Sequence, residues 1–213
     1  MKRLILTQGS PEWLACRRNH VGASDCAPIM GEHTYGRTAV KVFHEKVDDS
    51  KVEENEFMRY GKETEEEARL YYSLKYGTDF QPDCFESDEH LFMMASLDGW
   101  DGFTILEVKC LGEKRFREIQ LTREVPKGYL WQLQHQLCVV DEAKAAIIGF
   151  YFKGAEGVES VEIAVDRDRA MMESLIKEES TFWHDHVEQF LPPEPKKRAA
   201  RLSVPRKKAL AIP

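Results

Sequence analysis

Ser96-Leu97-Asp98-Gly99-Trp100-Asp101-Gly102-Phe103-Thr104-Ile105-Leu106-Glu107-Val108-Lys109-Cys110 reads as two strands and the turn that joins them. Aspartates and glycines crowd its middle, and β-branched or aromatic residues fill its flanks. In an extended chain alternate side chains share a face, so Ile105, Glu107 and Lys109 point one way and Leu106, Val108 and Cys110 the other. A hairpin closing at 98–102 brings Asp98, at the end of the first strand, towards Glu107. Two carboxylates and an ammonium then converge on one patch. Carboxylates bind hard cations such as Mg²⁺, and such an ion beside a lysine suits hydrolysis of a phosphodiester. The Val108 backbone carbonyl can complete a ligand set. The same spacing also fits a surface Glu–Lys pair on an ordinary hairpin, so other segments must decide.

Working outward, the segments 79–86, 91–97 and 103–110 form a β-meander, and 145–152 and 158–165 read as further strands. Ser10-Pro11 opens a helix that runs to about Asn19. Ser24 is expected to cap a short helix ending near Gly31, and another runs from Thr38 to about Lys46. Residues 54–76 form a long helix with Phe57, Tyr60, Ala68, Tyr71 and Leu74 towards one face. Helices are also expected over 114–121, 128–140 and 167–190. The sum is an α/β (mixed α+β) fold with a central mixed β-sheet flanked by helices. Residues 1–193 are expected to form one domain and 194–213 a basic tail, where Pro-Pro-Glu-Pro leads into a lysine- and arginine-rich run.

Composition narrows the classes. The chain has 213 residues and a formal charge of −7, but 195–213 hold seven basic residues and no acid, leaving −14 on the rest. Net charge therefore neither requires nor excludes nucleic acid, because cations can line one groove while metal neutralises carboxylates. Five scattered cysteines without a Cys-x-x-Cys pair argue against a disulfide framework and against zinc or iron–sulfur sites. No apolar run is long enough for a membrane span, and the opening residues are too weakly apolar for a secretory signal, so a cytoplasmic protein is expected. His184 and His186 stand two apart on a helix and cannot share a face. They read as solvated.

Two flanking segments favour chemistry at the hairpin. Arg59-Tyr60-Gly61-Lys62-Glu63-Thr64-Glu65-Glu66-Glu67-Ala68-Arg69 puts carboxylates on the long helix. Downstream, Tyr129-Leu130-Trp131-Gln132-Leu133-Gln134-His135-Gln136 puts Gln132 and Gln136 on one helical face. Together with Trp13, Arg17, Gly22-Ala23-Ser24, Ser96-Leu97-Asp98-Gly99 and Glu107-Val108-Lys109-Cys110, and in their order along the chain, the set resembles the YqaJ-like viral recombinases, the family of the phage lambda exonuclease. The likeness covers about residues 10–165. It implies a restriction-endonuclease-like PD-(D/E)xK core and a Mg²⁺-dependent exonuclease that digests one strand of linear double-stranded DNA from 5′ to 3′, leaving 3′ overhangs for recombination. Two metal ions per site are implied, with Mn²⁺ able to substitute, as are a homotrimer around DNA and a single-strand annealing partner in a bacterial host.

Carried onto this chain, the resemblance makes Asp98, Glu107, Lys109, Gln132 and Glu65 catalytic. Asp98, Glu107, the Val108 carbonyl and Glu65 become metal ligands, with Arg17, Ser24 and Ser96 holding the 5′-phosphate. An arginine fork with hydroxyl donors suits a terminal phosphate. Leu97 stands where the motif's proline would be, at a position that supplies no ligand. The alternatives are an endonuclease on the same core and a non-catalytic DNA-binding scaffold.

Overall fold

The computed structural model describes residues 1–32, 36–48 and 56–195, with Phe57 and Met58 described as backbone only. The basic run from 196, the start of the long helix at 54–55 and the Phe57 side chain lie outside the described residues.

The elements in chain order are β1 (Lys2–Leu4), α1 (Pro11–Arg18), β2 (Val21–Gly22), α2 (Ala23–Ile29), α3 (Ala39–Val47), α4 (Glu56–Tyr76), β3 (Gln81–Glu86), β4 (Met93–Trp100) and β5 (Thr104–Cys110). They continue as α5 (Glu113–Thr122), α6 (Lys127–Val139), β6 (Ala145–Gly154), β7 (Gly157–Val165) and α7 (Arg169–Thr181). The strands form one mixed sheet in the order β1-β3-β4-β5-β6-β7, with β2 paired to β4. Neighbours are antiparallel except β5–β6 and β2–β4. A parallel neighbour cannot follow through a tight turn, and α5 and α6 fill the crossover from β5 to β6.

Helices cover both faces. Ala68 and Tyr72 of α4 pack with Phe80, Leu106, Val108 and Tyr151 on one side. The larger cluster on the other side joins Ile105, Ile148 and Phe150 to Leu133 and Leu137 of α6, Ala27 and Ile29 of α2, and Leu175 of α7. The alternation expected for β5 is therefore what splits the core. A Cβ at Gly149 of β6 would lie 2.5 Å from the Tyr72 ring, so the close approach of α4 needs a residue without a side chain there.

Three local expectations are corrected. The β4 strand runs through Asp98 and Gly99 to Trp100, and the turn begins only at Asp101. The Asp101 carboxylate accepts from the N–H groups of Phe103 (2.9 Å) and Thr104 (2.6 Å), and Gly102 takes φ +95°. Ser24 is not a cap. Gly22 is the N-cap of α2, and the Asp25 carboxylate accepts the Gly22 N–H at 2.9 Å, leaving the Ser24 hydroxyl exposed. The final helix does not hold one pitch, because from Phe182 to Val187 it widens to a π-helix that buries Phe182 and Val187. There His184 faces Glu188 and His186 faces the Leu191 carbonyl, each with its own partner. All five cysteines are free thiols, and no helix among the described residues is long and apolar enough to cross a membrane.

Candidate active site

The β4–β5 ladder pairs Trp100 with Ile105 and Gly99 with Leu106, and then stops. Continued by one more step it would set Asp98 opposite Glu107, and by two steps Leu97 opposite Val108. Instead the Leu97 carbonyl accepts from the Gln8 amide at 2.9 Å, and the Val108 N–H donates to the Asp98 carboxylate at 2.7 Å. Both backbone groups released by the opening find side-chain partners, as buried backbone groups must. Gly99 marks the divergence, since a Cβ there would sit 2.8 Å from Phe80 Cβ and 3.1 Å from Leu106 Cβ. The strands thus part where Asp98 and Glu107 face each other.

Glu107 is 1% exposed. Its Oε1 accepts from the Gln132 amide at 2.7 Å and pairs with the Lys109 ammonium at 2.5 Å, while its Oε2 accepts from the Gln136 amide at 2.6 Å. Both amides come from successive turns of α6. Lys109 also lies 5.1 Å from the centre of the Tyr129 ring. Burial opposes its charge, but Glu107 and Asp98 more than compensate and hold the ammonium protonated well above the usual lysine range. Burial, followed by the charges of Glu107 and Glu65, pushes the Asp98 carboxyl well above the aspartate range. Glu65, half-buried on α4, is raised by its own burial and by Glu107.

That crowding of acids favours a cation. The carbonyl oxygen of Gln136 is buried beside Glu107 without a hydrogen-bond partner. The donor set of Asp98, Glu107 and a backbone carbonyl at Val108 fits a hard divalent ion. Glu65 is the less complete member. Among the described residues no three His, Cys, Asp or Glu side chains already form a metal-ligand group.

A second cluster adjoins. Ser96 and Asp98 are two apart in β4 and so share a face. The Trp13 indole N–H donates to the Ser96 hydroxyl at 2.8 Å, the Arg17 guanidinium lies 4.6 Å from the Trp13 ring centre, and Arg17 donates to the Ser24 hydroxyl at 2.8 Å. Arg17, Ser24 and Ser96 are thereby linked through Trp13. Beneath them lies Asp25, 0% exposed, bound by Lys46 and Arg37 at 2.6 Å each and with Arg17 at 3.9 Å. Burial would raise the Asp25 carboxyl, but the charges of Lys46, Arg37 and Arg17 hold it far below the usual range.

Asp25, Lys46 and the linking role of Trp13 escape a reading of the sequence, which sets Gln136 on one face with Gln132 but gives it no role. Gln136 is signalled by its i, i+4 relation to Gln132. Asp25 and Lys46 are 21 residues apart and carry no local signal.

The architecture is that of the PD-(D/E)xK fold class: a mixed sheet with helices on both faces, and two acids and a lysine carried by adjacent central strands. The model of the YqaJ-like viral recombinase domain matches residues 12–143, and the chain belongs to that family. It is 26% identical over 183 residues to the uncharacterized protein YqaJ of Bacillus subtilis, an alignment covering 83% of this chain and 56% of the relative, so the chain spans little more than half of that protein's length. The fold matches the crystal structure of an alkaline exonuclease from Laribacter hongkongensis with TM-score 0.71, 22% identity and coverage of 85% of this chain and 96% of the other. The structure of the same exonuclease in complex with dAMP matches with TM-score 0.68 and 21% identity over the same shares.

Proposed function

We propose that the protein is a Mg²⁺-dependent exonuclease that removes nucleotides from the 5′ strand at the ends of linear double-stranded DNA, leaving 3′ single-stranded overhangs for recombination by strand annealing. The observation that carries this reading is the burial of Glu107 between Lys109 and two glutamine amides, opposite Asp98, where the sheet ladder opens. Burying a carboxylate among further carboxylates is costly without function.

Asp98, Glu107 and the Val108 carbonyl would hold one Mg²⁺, and Glu65 would help to hold a second, with Mn²⁺ an acceptable substitute. Such ions supply Lewis-acid charge at the scissile phosphate and make water more acidic. Lys109 neutralises phosphate charge and orients the attacking water, and Gln132 fixes the Glu107 carboxylate beside it. Arg17 with the Ser24 and Ser96 hydroxyls grips the terminal 5′-phosphate by charge-assisted hydrogen bonds. The dAMP bound to the Laribacter exonuclease supports this reading, because a nucleoside monophosphate is what such an enzyme releases. Residues 1–193 would constitute the nuclease domain, working as a homotrimer around DNA in the host cytoplasm with an annealing protein as partner.

Linear duplex labelled at one 5′ or one 3′ end, with and without Mg²⁺ and beside a sealed circle, tests the reading. The expected outcome is metal-dependent loss of the 5′ label with the circle intact, abolished by Lys109→Ala in a protein that still folds. Cutting of the circle would instead identify an endonuclease on the same core. DNA binding without product, whatever the metal, would identify a scaffold.

A further inference from the structure

Glu107 has two carboxylate oxygens and they are served differently. Oε1 receives the Gln132 amide and the Lys109 ammonium, whereas the Gln136 amide serves Oε2 at 2.6 Å. The terminal torsion of a glutamate is soft, with broad twofold wells. A carboxylate held at one oxygen can therefore swing about that contact. Held at both oxygens by amides one helical turn apart, its plane is fixed relative to β5 and α6.

Gln136 is 0% exposed, deeper than half-buried Gln132. A side chain so placed cannot reach a substrate phosphate arriving from solvent. Its carbonyl oxygen is buried without a partner, and an apolar side chain of similar volume would avoid that cost. An amide kept at a stability cost, and aimed at the most buried acid of the site, points to a role outside the fold.

We propose that Gln136 is a positioning residue that sets the Glu107 carboxylate for divalent-metal binding, acting through Glu107 and touching neither metal nor DNA. The inference rests on the metal-dependent nuclease reading. Outer contacts that orient a ligand are worth roughly 10–100-fold in metal affinity or activity, and Gln136 stands in that relation to Glu107. Gln132 is the more exposed amide and borders the substrate side. Gln136 acts from the interior and affects the ion alone.

The test is calorimetric titration of Mn²⁺ into the full chain without DNA, comparing wild type with Gln136→Met and Gln136→Asn. The first variant fills the space with an unbranched apolar side chain, and the second withdraws the amide by one methylene. Both are expected to bind Mn²⁺ about 10–100-fold more weakly, with Gln136→Met unfolding no more readily than wild type in the absence of metal. Leu133→Ala, on the same helix but pointing into the core, should lose stability and keep its Mn²⁺ affinity, which separates positioning from packing. Wild-type affinity in either folded variant overturns the assignment, and so does failure of both variants to fold, since Gln136 would then be structural. Should wild type and Glu107→Gln show the same lack of Mn²⁺ binding, the metal-dependent reading itself fails, an outcome distinct from the first two.

Discussion

The Asp98 carboxyl is raised by burial and by the charges of Glu107 and Glu65, although the Val108 N–H and Lys109 act in the opposite direction. Its folded-state value thus lies above the value of about 3.9 in an unfolded chain. Between the two values the folded state holds a proton that the unfolded state has released, so stability falls as pH rises through that window and the full penalty remains above it. Asp98→Asn removes the charge while its amide oxygen can still accept the Val108 N–H. Without metal the variant is expected to melt higher than wild type at about pH 8, with the difference closing towards about pH 3, below the unfolded value. Added Mg²⁺ should raise the melting temperature of wild type and leave that of the variant unchanged. A variant that melts below wild type at high pH would show that Asp98 stabilises the fold, contrary to the charge argument. Sites tuned for activity commonly give up stability in this way.

Among the elements, α6 carries the greatest variety of tasks: Gln132 and Gln136 hold Glu107, Tyr129 sits over Lys109, and Leu133 and Leu137 enter the core. Its position is fixed by His135, whose Nδ1 lies 2.9 and 3.0 Å from the two Glu179 oxygens of α7 and whose Nε2 lies 2.9 Å from the Met94 carbonyl of β4. A doubly protonated imidazole facing the Glu179 carboxylate and the Met94 carbonyl satisfies both ring nitrogens, although burial also raises the Glu179 carboxyl. Burial acts against that charge, but Glu179 and the Met94 carbonyl raise the imidazole above its usual range. Truncation to His135→Ala leaves Glu179 buried and unpaired, and urea unfolding should show a loss of about 3–5 kcal/mol. Pairing a His135→Leu change with Glu179→Leu should recover part of that loss, and no recovery would show that the pair is net stabilising.

The same elements show what a sequence displays. The period-two pattern around Ile105 to Cys110 and the turn residues at Asp101-Gly102 are local, and the meander and the two faces of β5 follow from them. The β1 and β2 strands of three and two residues are too short to impose a pattern. The opening of the ladder at Asp98 depends on Phe80 and Gln8, both distant in the chain, and the π-helix at 182–187 depends on packing. At the site, residue type and spacing bring Asp98, Glu107 and Lys109 together, whereas the roles of Glu65 and Gln132 enter only through the family resemblance. The Asp25 cluster and the His135–Glu179 pair are assembled only by tertiary contact, which an i, i+4 or alternating pattern cannot reveal.

For the whole molecule, charge is the governing quantity. Residues 196–213 hold seven cations, and the rest of the chain carries −14. Each phosphate neutralised contributes a slope of about −0.9 in log affinity against log salt on duplex DNA. Deleting 196–213 should therefore flatten the salt dependence of duplex binding while leaving the cleavage position unaltered, and an unchanged slope would remove the basic run from the DNA contact. On the proposed reading, β4 is also a ruler. Ser96 and Asp98 lie two residues apart on one strand, and at a rise of about 3.4 Å per residue this sets about 7 Å between the place where a chain end is gripped and the place where it is cut. Inserting one residue would turn one of the two side chains to the opposite face. The strand can lengthen the ruler only in double steps, so the size of the released fragment is quantised by backbone geometry.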